Sequence, residues 1–322
     1  MLNKKVFGLL VGVAVAAAAA SAAAQEKRQL SIATGTTGGV YYPLGGAMAN
    51  ILSKNVPGWS VTAEATAGAV ANLHNIRDGK AEIGIVQADS SYDAIKGLDK
   101  FKDKPVPHRV LMFVYPNLVH IVTMEGTGIN TVADMKGKRI STGAPVSATE
   151  VLAQRLLEAA GMSSNDLKRE RLAPAESTNA MKDGKLDGYF FAGGPPIAAI
   201  TDLAASQGIK LKLIDHHDLA QKVIAKYGPL YAPAVVKAGS YPGQDKDAKV
   251  MGIWNTLIVH EKMPDDMAYT ITKTLWENHA ELLATHKAAA DMTAENQKAA
   301  NTPVPFHPGA LKYFAEKGIK VD

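Results

Sequence analysis

The stretch Thr34-Gly35-Thr36-Thr37-Gly38-Gly39-Val40-Tyr41-Tyr42-Pro43 gathers hydroxyls and glycines where a β-branched run gives way to a helical pattern. Such a turn brings bare N–H groups and the positive end of a helix dipole to one place, which suits an anion. Glycine lets the backbone come close to that anion. The same stretch also reads as a tight turn that needs left-handed residues, and the residues alone leave both readings open. It is not a nucleotide P-loop, because no Gly-Lys-Ser/Thr closes it and the G-x-G-x-x-G spacing is missing. A second copy, Gly143-Ala144-Pro145-Val146-Ser147-Ala148-Thr149-Glu150, again leads from a strand end into a helix. There Ser147 can cap the helix with Glu150 completing a capping box, and backbone N–H groups would remain for a ligand.

Other chemistry is sparse. The chain has no Cys, so thiol nucleophiles, Cys-ligated zinc, iron–sulfur clusters and disulfides are excluded together. Neither G-x-S-x-G nor H-E-x-x-H occurs. His216-His217-Asp218 resembles a metal cluster, but adjacent side chains diverge on a helix or strand, so no metal is expected there. His279 and His286 fall two turns apart on an expected helix, roughly 10 Å, too far to share an ion. No cofactor is indicated.

The elements that must position these loops alternate short β-branched runs with helical patterns, the mark of an α/β fold. Strands are expected over residues 30–34, 60–65 and 83–86, with helices over 43–53 and 69–77. The order then recurs: a strand at 139–142, a helix at 147–160, and Asp183-Gly184-Lys185 before a strand echoing Asp78-Gly79-Lys80. Between the copies, residues 110–114 and 118–123 read as consecutive strands separated by Tyr115-Pro116-Asn117, and 251–259 reads as another. Two extended passages flanking an inserted lobe would serve as hinge strands. A helix over 265–286 carries the apolar stripe Met267, Ile271, Leu275, Leu282 and Leu283, and a last helix covers 308–317.

In open α/β sheets ligands sit beyond the carboxyl ends of strands. Here those ends carry small or polar residues: Ala67 to Asn72, Gln87 to Ser90, and Phe191 to Pro195. Two lobes facing each other across them would enclose a small polar molecule. Tyr41 is expected to face that cleft and Tyr42 to pack against the core, while Arg155 is expected to face solvent.

The chain has 322 residues and a net charge of +4, too small to suggest nucleic acid as a partner. Lys4 and Lys5 precede an apolar run over 6–20 and an A-x-A site at Ala22 and Ala24, the pattern of a secretory leader. That run is short of the ~20 residues a membrane span needs. Removing residues 1–24 takes away two lysines and leaves 322 − 24 = 298 residues with charge +2. With no Cys at the processing site for a lipid anchor, the product is expected to be freely soluble outside the cytoplasmic membrane.

T-G-T-T-G-G-V-Y-Y-P-L-G-G, A-E-I-G-I-V-Q-A-D-S-S-Y-D-A, G-K-R-I-S-T-G-A-P, Y-P-G-Q-D and the closing P-F-H-P-G-A-L-K-Y-F together resemble the TAXI solute-binding proteins of TRAP transporters. The resemblance runs from Leu30 to the C-terminus. It implies a two-lobed type II periplasmic-binding-protein fold, each lobe a sheet flanked by helices, with lobe 1 at 25–116 and 251–322 and lobe 2 at 117–250. It implies a receptor, not an enzyme, that delivers a small organic anion such as glutamate or 2-oxoglutarate to a TRAP membrane subunit. Carried over by motif, the ligand contacts would be Thr37, Gly38, Gly39, Val40, Tyr41, Asn72 and Gln87 from the first lobe. Those of the second would be Ala144, Ser147, Thr149, Phe191 and Gly193. The family usually reads G-A-P-G-S-G-T-E where this chain has Val146 and Ala148 in place of both glycines. The same fold serving an ABC importer or a sensor kinase, or a secreted hydrolase or isomerase, are the alternatives.

Overall fold

The computed structural model describes residues 28–321, so the leader expected over 1–24 lies outside the described residues. The first copy of the plan runs β1 (Arg28–Ala33), α1 (Tyr41–Asn55), β2 (Trp59–Glu64), α2 (Ala69–Arg77), β3 (Ile83–Gln87) and α3 (Ala88–Lys96). β1 lies between β2 and β3, parallel to both. The second copy follows β4 (His108–Met124) and runs β5 (Arg139–Ser141), α4 (Ala148–Ala159), β6 (Lys168–Glu170), α5 (Pro174–Lys182) and β7 (Gly188–Gly193). β5 lies between β6 and β7, parallel to both. The repeated sequence plan is therefore a repeated topology. Its two Asp-Gly-Lys stops also match, since Gly79 and Gly184 end α2 and α5 with φ of 64° and 67°, a region glycine enters without steric cost. The chain continues through α6 (Ala198–Ala204), β8 (Leu211–Leu213), α7 (His217–Tyr227), β9 (Tyr231–Val236), β10 (Ala248–His260), α8 (Asp265–Glu277), α9 (His279–Thr285) and α10 (Pro308–Glu316).

All ten strands join one sheet in the order β2-β1-β3-β10-β4-β7-β5-β6, with β8 on β4 and β9 on β10. The two longest strands, β4 and β10, run antiparallel through its centre. Each changes its outer neighbour midway. β10 pairs with β9 up to Ile253 and with β3 from Asn255, while β4 takes up β7 from Leu118. Among the described residues, these crossings are where the two parallel halves share strands. One apolar core forms around Ile32, Leu44, Ile51, Ile83, Ile258 and Leu275 on the β3 side. A second forms around Ile140, Leu152, Leu156, Phe190, Val223 and Met251 on the β7 side.

Three expectations are corrected. Residues 110–114 and 118–123 are one strand, not two, because β4 continues through Pro116. Proline lacks an N–H, and it is tolerated here because β10 slips register beside it, Tyr115 facing Asn255 but Phe113 facing Thr256. The helix expected over 265–286 breaks at Asn278, whose Nδ2 donates to the carbonyl of Thr274 at 2.8 Å and so competes with the helical ladder. After that break Leu283 leaves the apolar stripe and is exposed.

Of the four buried histidines, three share one bonding pattern, and none faces the cleft described below. His108, His120 and His216 each place Nδ1 at 2.7–3.0 Å from the carbonyl two residues earlier in the chain. Their Nε2 atoms meet the Ser91 hydroxyl, the Tyr241 hydroxyl and the Met251 N–H. This suits a neutral ring that donates at Nδ1 and accepts at Nε2. Burial holds all three down at about 4. The unfolded chain takes up these protons near pH 6.5, so their contribution is intact above 6.5 and is lost as pH falls toward 4. Thermal melts from pH 7.5 to 4.5 should therefore drop steeply below pH 6, by on the order of several kcal/mol in stability. A flat profile would mean that the rings are not buried as neutral species.

Candidate functional site

The cleft lies where the two halves face each other, beyond the carboxyl ends of their parallel strands. It encloses about 380 Å³, its mouth included. Gly35, Thr36, Gly39, Val40 and Tyr41 line it after β1, Ala67, Gly68 and Ala69 after β2, and Gln87 at the end of β3. Tyr115 and Asn117 reach it from the crossing point of β4. From the other half come Ser147, Ala148 and Thr149 at the start of α4 and Phe191 and Ala192 from β7.

Four helices begin at this cleft. Val40, Gly68, Gln87 and Ser147 line it and are the N-cap positions of α1, α2, α3 and α4. Only Ser147 makes a side-chain cap, its Oγ accepting from the Glu150 N–H at 3.1 Å. The capping box is only half formed, because the Glu150 carboxylate is held instead by Arg169 and Arg171, each at 2.6 Å. At the other three helices the N-cap residue makes no side-chain cap, although Asp89 Oδ1 accepts from the Ser90 N–H in the first turn of α3 and the Val146 carbonyl takes the Ala71 N–H of α2; the starts still point their positive ends at the cleft. Three buried polar atoms there also lack a partner: Gln87 Nε2, Tyr115 Oη and Asn117 Oδ1. These residues are 2%, 0% and 1% exposed, so each leaves a polar group both dry and unpaired unless something fills the cleft.

Tyr41 faces this space as expected, its hydroxyl donating to Asn255 Oδ1 and its ring set edge-on to Tyr115 at 6.3 Å. Burial raises both tyrosine hydroxyls well above their ordinary range, so they remain neutral donors. Tyr42 does not pack in the core; it is 38% exposed. One turn position away from Tyr41, it is carried to the outer face of α1.

Of the twelve residues named from sequence, Gly39, Val40, Tyr41, Gln87, Ser147, Thr149 and Phe191 come together around the cleft. The other five do other work. Thr37 lies on a separate surface groove with Tyr42 and Pro43. Gly38 presents its carbonyl to the Ala199 N–H of the facing half at 3.4 Å. Asn72 is fully committed below the floor, its Nδ2 donating to the carbonyls of Thr34 and Ile85 and its Oδ1 accepting from Thr66. Ala144 turns its carbonyl to Ser147 Oγ at 2.6 Å. Gly193 is packed too tightly for a side chain, with Ile197 and Phe191 atoms 3.0 Å from where a Cβ would stand. Sequence reasoning missed Tyr115 and Asn117, although a polar residue between two apolar runs was the available signal.

Arg155 does not face solvent. It reaches from α4 to α3 in the facing half, with Nη1 3.3 Å from Asp89 and Nη2 2.5 Å from Asp93. It also donates to the Tyr231 hydroxyl, which in turn donates to Asp89 at 3.0 Å. The Tyr227 ring covers the guanidinium at 4.5 Å. Arg155 and its three polar partners are buried, so two carboxylates share one cation and the cluster is one negative charge in excess. Burial pushes the Asp93 carboxyl up to about 6, Asp89 and Asp99 adding to this against the pull of Arg155.

Val146 adopts φ 62°, a left-handed conformation that a β-branched residue enters with strain. Its carbonyl accepts from the Ala71 N–H across the cleft at 3.2 Å, which holds the loop in that shape. Val146→Gly relieves about 1–2 kcal/mol of strain against about 0.5–1 kcal/mol of added chain entropy. The variant should therefore melt slightly higher, by about 2–4 °C if the net gain is 1 kcal/mol. A lower melting temperature would show that the valine is not strained.

Residues 32–318 match the model of the NMT1-like family. The chain belongs to the NMT1-like family. Among solved structures, this NMT1-like protein is similar to a protein from Bordetella bronchiseptica RB50 (TM-score 0.53, 17% identity, covering 89% of this chain and 88% of that one). It is also similar to the binding protein component of an ABC phosphonate transporter from Pseudomonas aeruginosa (TM-score 0.54, 11% identity, 81% and 78% covered). A third likeness is to a putative L-cystine ABC transporter protein from Listeria monocytogenes (TM-score 0.50, 15% identity, 84% and 99% covered). The NMT1-like chain has the α/β periplasmic-binding-protein fold of type II, a sheet flanked by helices. No helix among its described residues is long and apolar enough to cross a membrane, and these residues hold no metal-binding group of three or more His, Asp or Glu.

Proposed function

We propose that this NMT1-like protein is a periplasmic solute receptor that closes around one small organic anion and hands it unaltered to a membrane importer. The observation that carries this reading is the convergence of four helix starts, drawn from both halves, on one cleft with unpartnered buried polar groups. Each helix start is worth about 0.3–2 kcal/mol to an anion. Residues 25–116 and 251–322 form one lobe and 117–250 the other, with β4 and β10 as the hinge. The open form would hold solute on the β1–β3 side, and the α4 and β7 contacts would then favour closure. On this reading the protein works as a monomer and releases its solute unaltered.

Two importer classes are supported by different observations. The structural relatives from Listeria monocytogenes and Pseudomonas aeruginosa are described as ABC transporter proteins, which favours an ABC importer. The loop motifs resemble TAXI proteins and favour a TRAP permease instead. Uptake that follows ATP hydrolysis would assign the first, and uptake that follows an ion gradient the second. The receptor reading itself is tested by calorimetric titration with amino acids and C4–C6 organic acids. A micromolar Kd and intact recovery of the solute are expected. Turnover of the solute, or no heat from any of them at millimolar concentration, would overturn the reading.

A further inference from the structure

The charge of the cleft is unusual for a site that must hold an ion. None of the residues lining it carries a charged side chain, acidic or basic. An anion would have to be balanced by backbone alone, and the starts of α1, α2 and α4 supply roughly +0.5 each, whereas α3 carries the Asp89 carboxylate in its own first turn. A cation would find nothing comparable. Asp89, two residues beyond Gln87, is occupied by Arg155 and Tyr231 and by its neighbour Ser90. Three backbone acceptors at the start of the β1–α1 loop are also taken. Thr34 O receives Asn72 Nδ2 at 2.6 Å, Gly35 O receives the Thr66 N–H at 3.2 Å, and Thr36 O receives the Gly39 N–H at 3.0 Å. Tyr115 O receives Asn255 Nδ2 at 3.0 Å. Donors are left open while these acceptors are closed. The acceptors that remain, Asn117 Oδ1, the Tyr115 hydroxyl oxygen and the Gln87 amide oxygen, are all neutral and cannot offset the charge of an ammonium.

We infer that the cleft selects small organic anions that carry no ammonium group, such as hydroxy-, oxo- or dicarboxylates, and discriminates against the amino acids of the same skeleton. This rests on reading the cleft as a solute site and narrows its substrate class. The anion would lie against the starts of α1, α2 and α4, with Gln87 Nε2 and Tyr115 Oη donating to its remaining oxygens. An α-ammonium in the same place would lose its water and face like-signed helix ends with no carboxylate lining the cleft to offset its charge.

Matched titrations of the purified receptor test this: 2-oxoglutarate against glutamate, succinate against aspartate, and pyruvate against alanine. In every pair where a partner binds, the ammonium-free acid should bind at least tenfold more tightly. A smaller preference, or one for the amino acid, overturns the inference and leaves the receptor reading standing. No binding by any member of the three pairs overturns the inference, and the receptor reading falls with it if the wider panel of amino acids and C4–C6 organic acids is also silent. Asn117→Asp, or Gln87→Glu if the first variant folds poorly, places a carboxylate at the cleft. Either should shift the ratio at least tenfold toward the amino acid, and an unchanged ratio in a folded variant would contradict the placement of charge described above.

Discussion

Arg155→Met should weaken capture of an organic acid by two to three orders of magnitude while each lobe stays folded. In the closed form the side chain is the sole cation among Asp89, Asp93 and Tyr231, which lie 1–6% exposed. Removing one member of a buried ion cluster costs about 3–5 kcal/mol, because the carboxylates remain dry and unpaired. Here the molecule has a way out, since Asp89 and Asp93 sit on α3 and Arg155 on α4 of the facing lobe. Parting the lobes returns both acids to water, so the penalty falls on closure and therefore on solute affinity. Titration of the variant with the best wild-type ligand, beside its thermal melt, separates the two effects. A melting temperature that collapses while affinity holds would place the cluster in the fold rather than in closure. The same cluster sets a pH dependence. The Asp93 carboxyl stands at about 6 when enclosed, against an ordinary 3.8. Closure therefore binds a proton, so its contribution is fully present below about 3.8 and is lost as pH rises through 6. Affinity should rise on the order of tenfold between pH 7.5 and 5, and Asp93→Asn should flatten that rise.

Gly39→Val should also abolish tight binding, for a steric reason. A Cβ at Gly39 would stand 3.0 Å from Phe191 Cζ of the opposite lobe and 3.4 Å from the Thr36 carbonyl oxygen. The carbonyl belongs to the loop's own backbone, and the ring is hemmed in by Gly193, where a Cβ would stand 3.0 Å from Phe191 Cε1. The added methyls would occupy the cleft and prop the lobes apart, with overpacking of about 1–3 kcal/mol added to the lost solute contacts. An affinity loss of one to two orders of magnitude is expected with a near-normal melting temperature. Wild-type affinity in this variant would mean that Gly39 and Phe191 do not meet when solute is bound.

Much of this was legible in the sequence because it depended on local rules. The doubled strand–helix order, the Gly79 and Gly184 stops and the helix starts after β1 and β5 follow from patterning and turn chemistry. What was hidden depended on contacts between distant segments. Arg155 looked like a solvent-facing helix residue, because its partners are 62, 66 and 76 residues away on α3 and β9. Asn117 looked like a turn residue beside Pro116, because the slip of β10 that admits the proline cannot be read from β4 alone. Asn72 was assigned to ligand by motif, yet its amide spans Thr34 and Ile85 and so braces β1 against β3 beneath the loop. Chemistry shared by a motif does not separate a residue that touches solute from one that shapes the floor under it.

The most direct measurement of closure uses the absence of cysteine in this chain. Lys102→Cys and Lys222→Cys place one label on each lobe at exposed positions, and the distance between them is followed by energy transfer as solute is added. A saturable shortening, with a midpoint equal to the calorimetric Kd and absent in Arg155→Met, is the expected result. A distance that stays constant while solute binds would contradict capture by closing lobes.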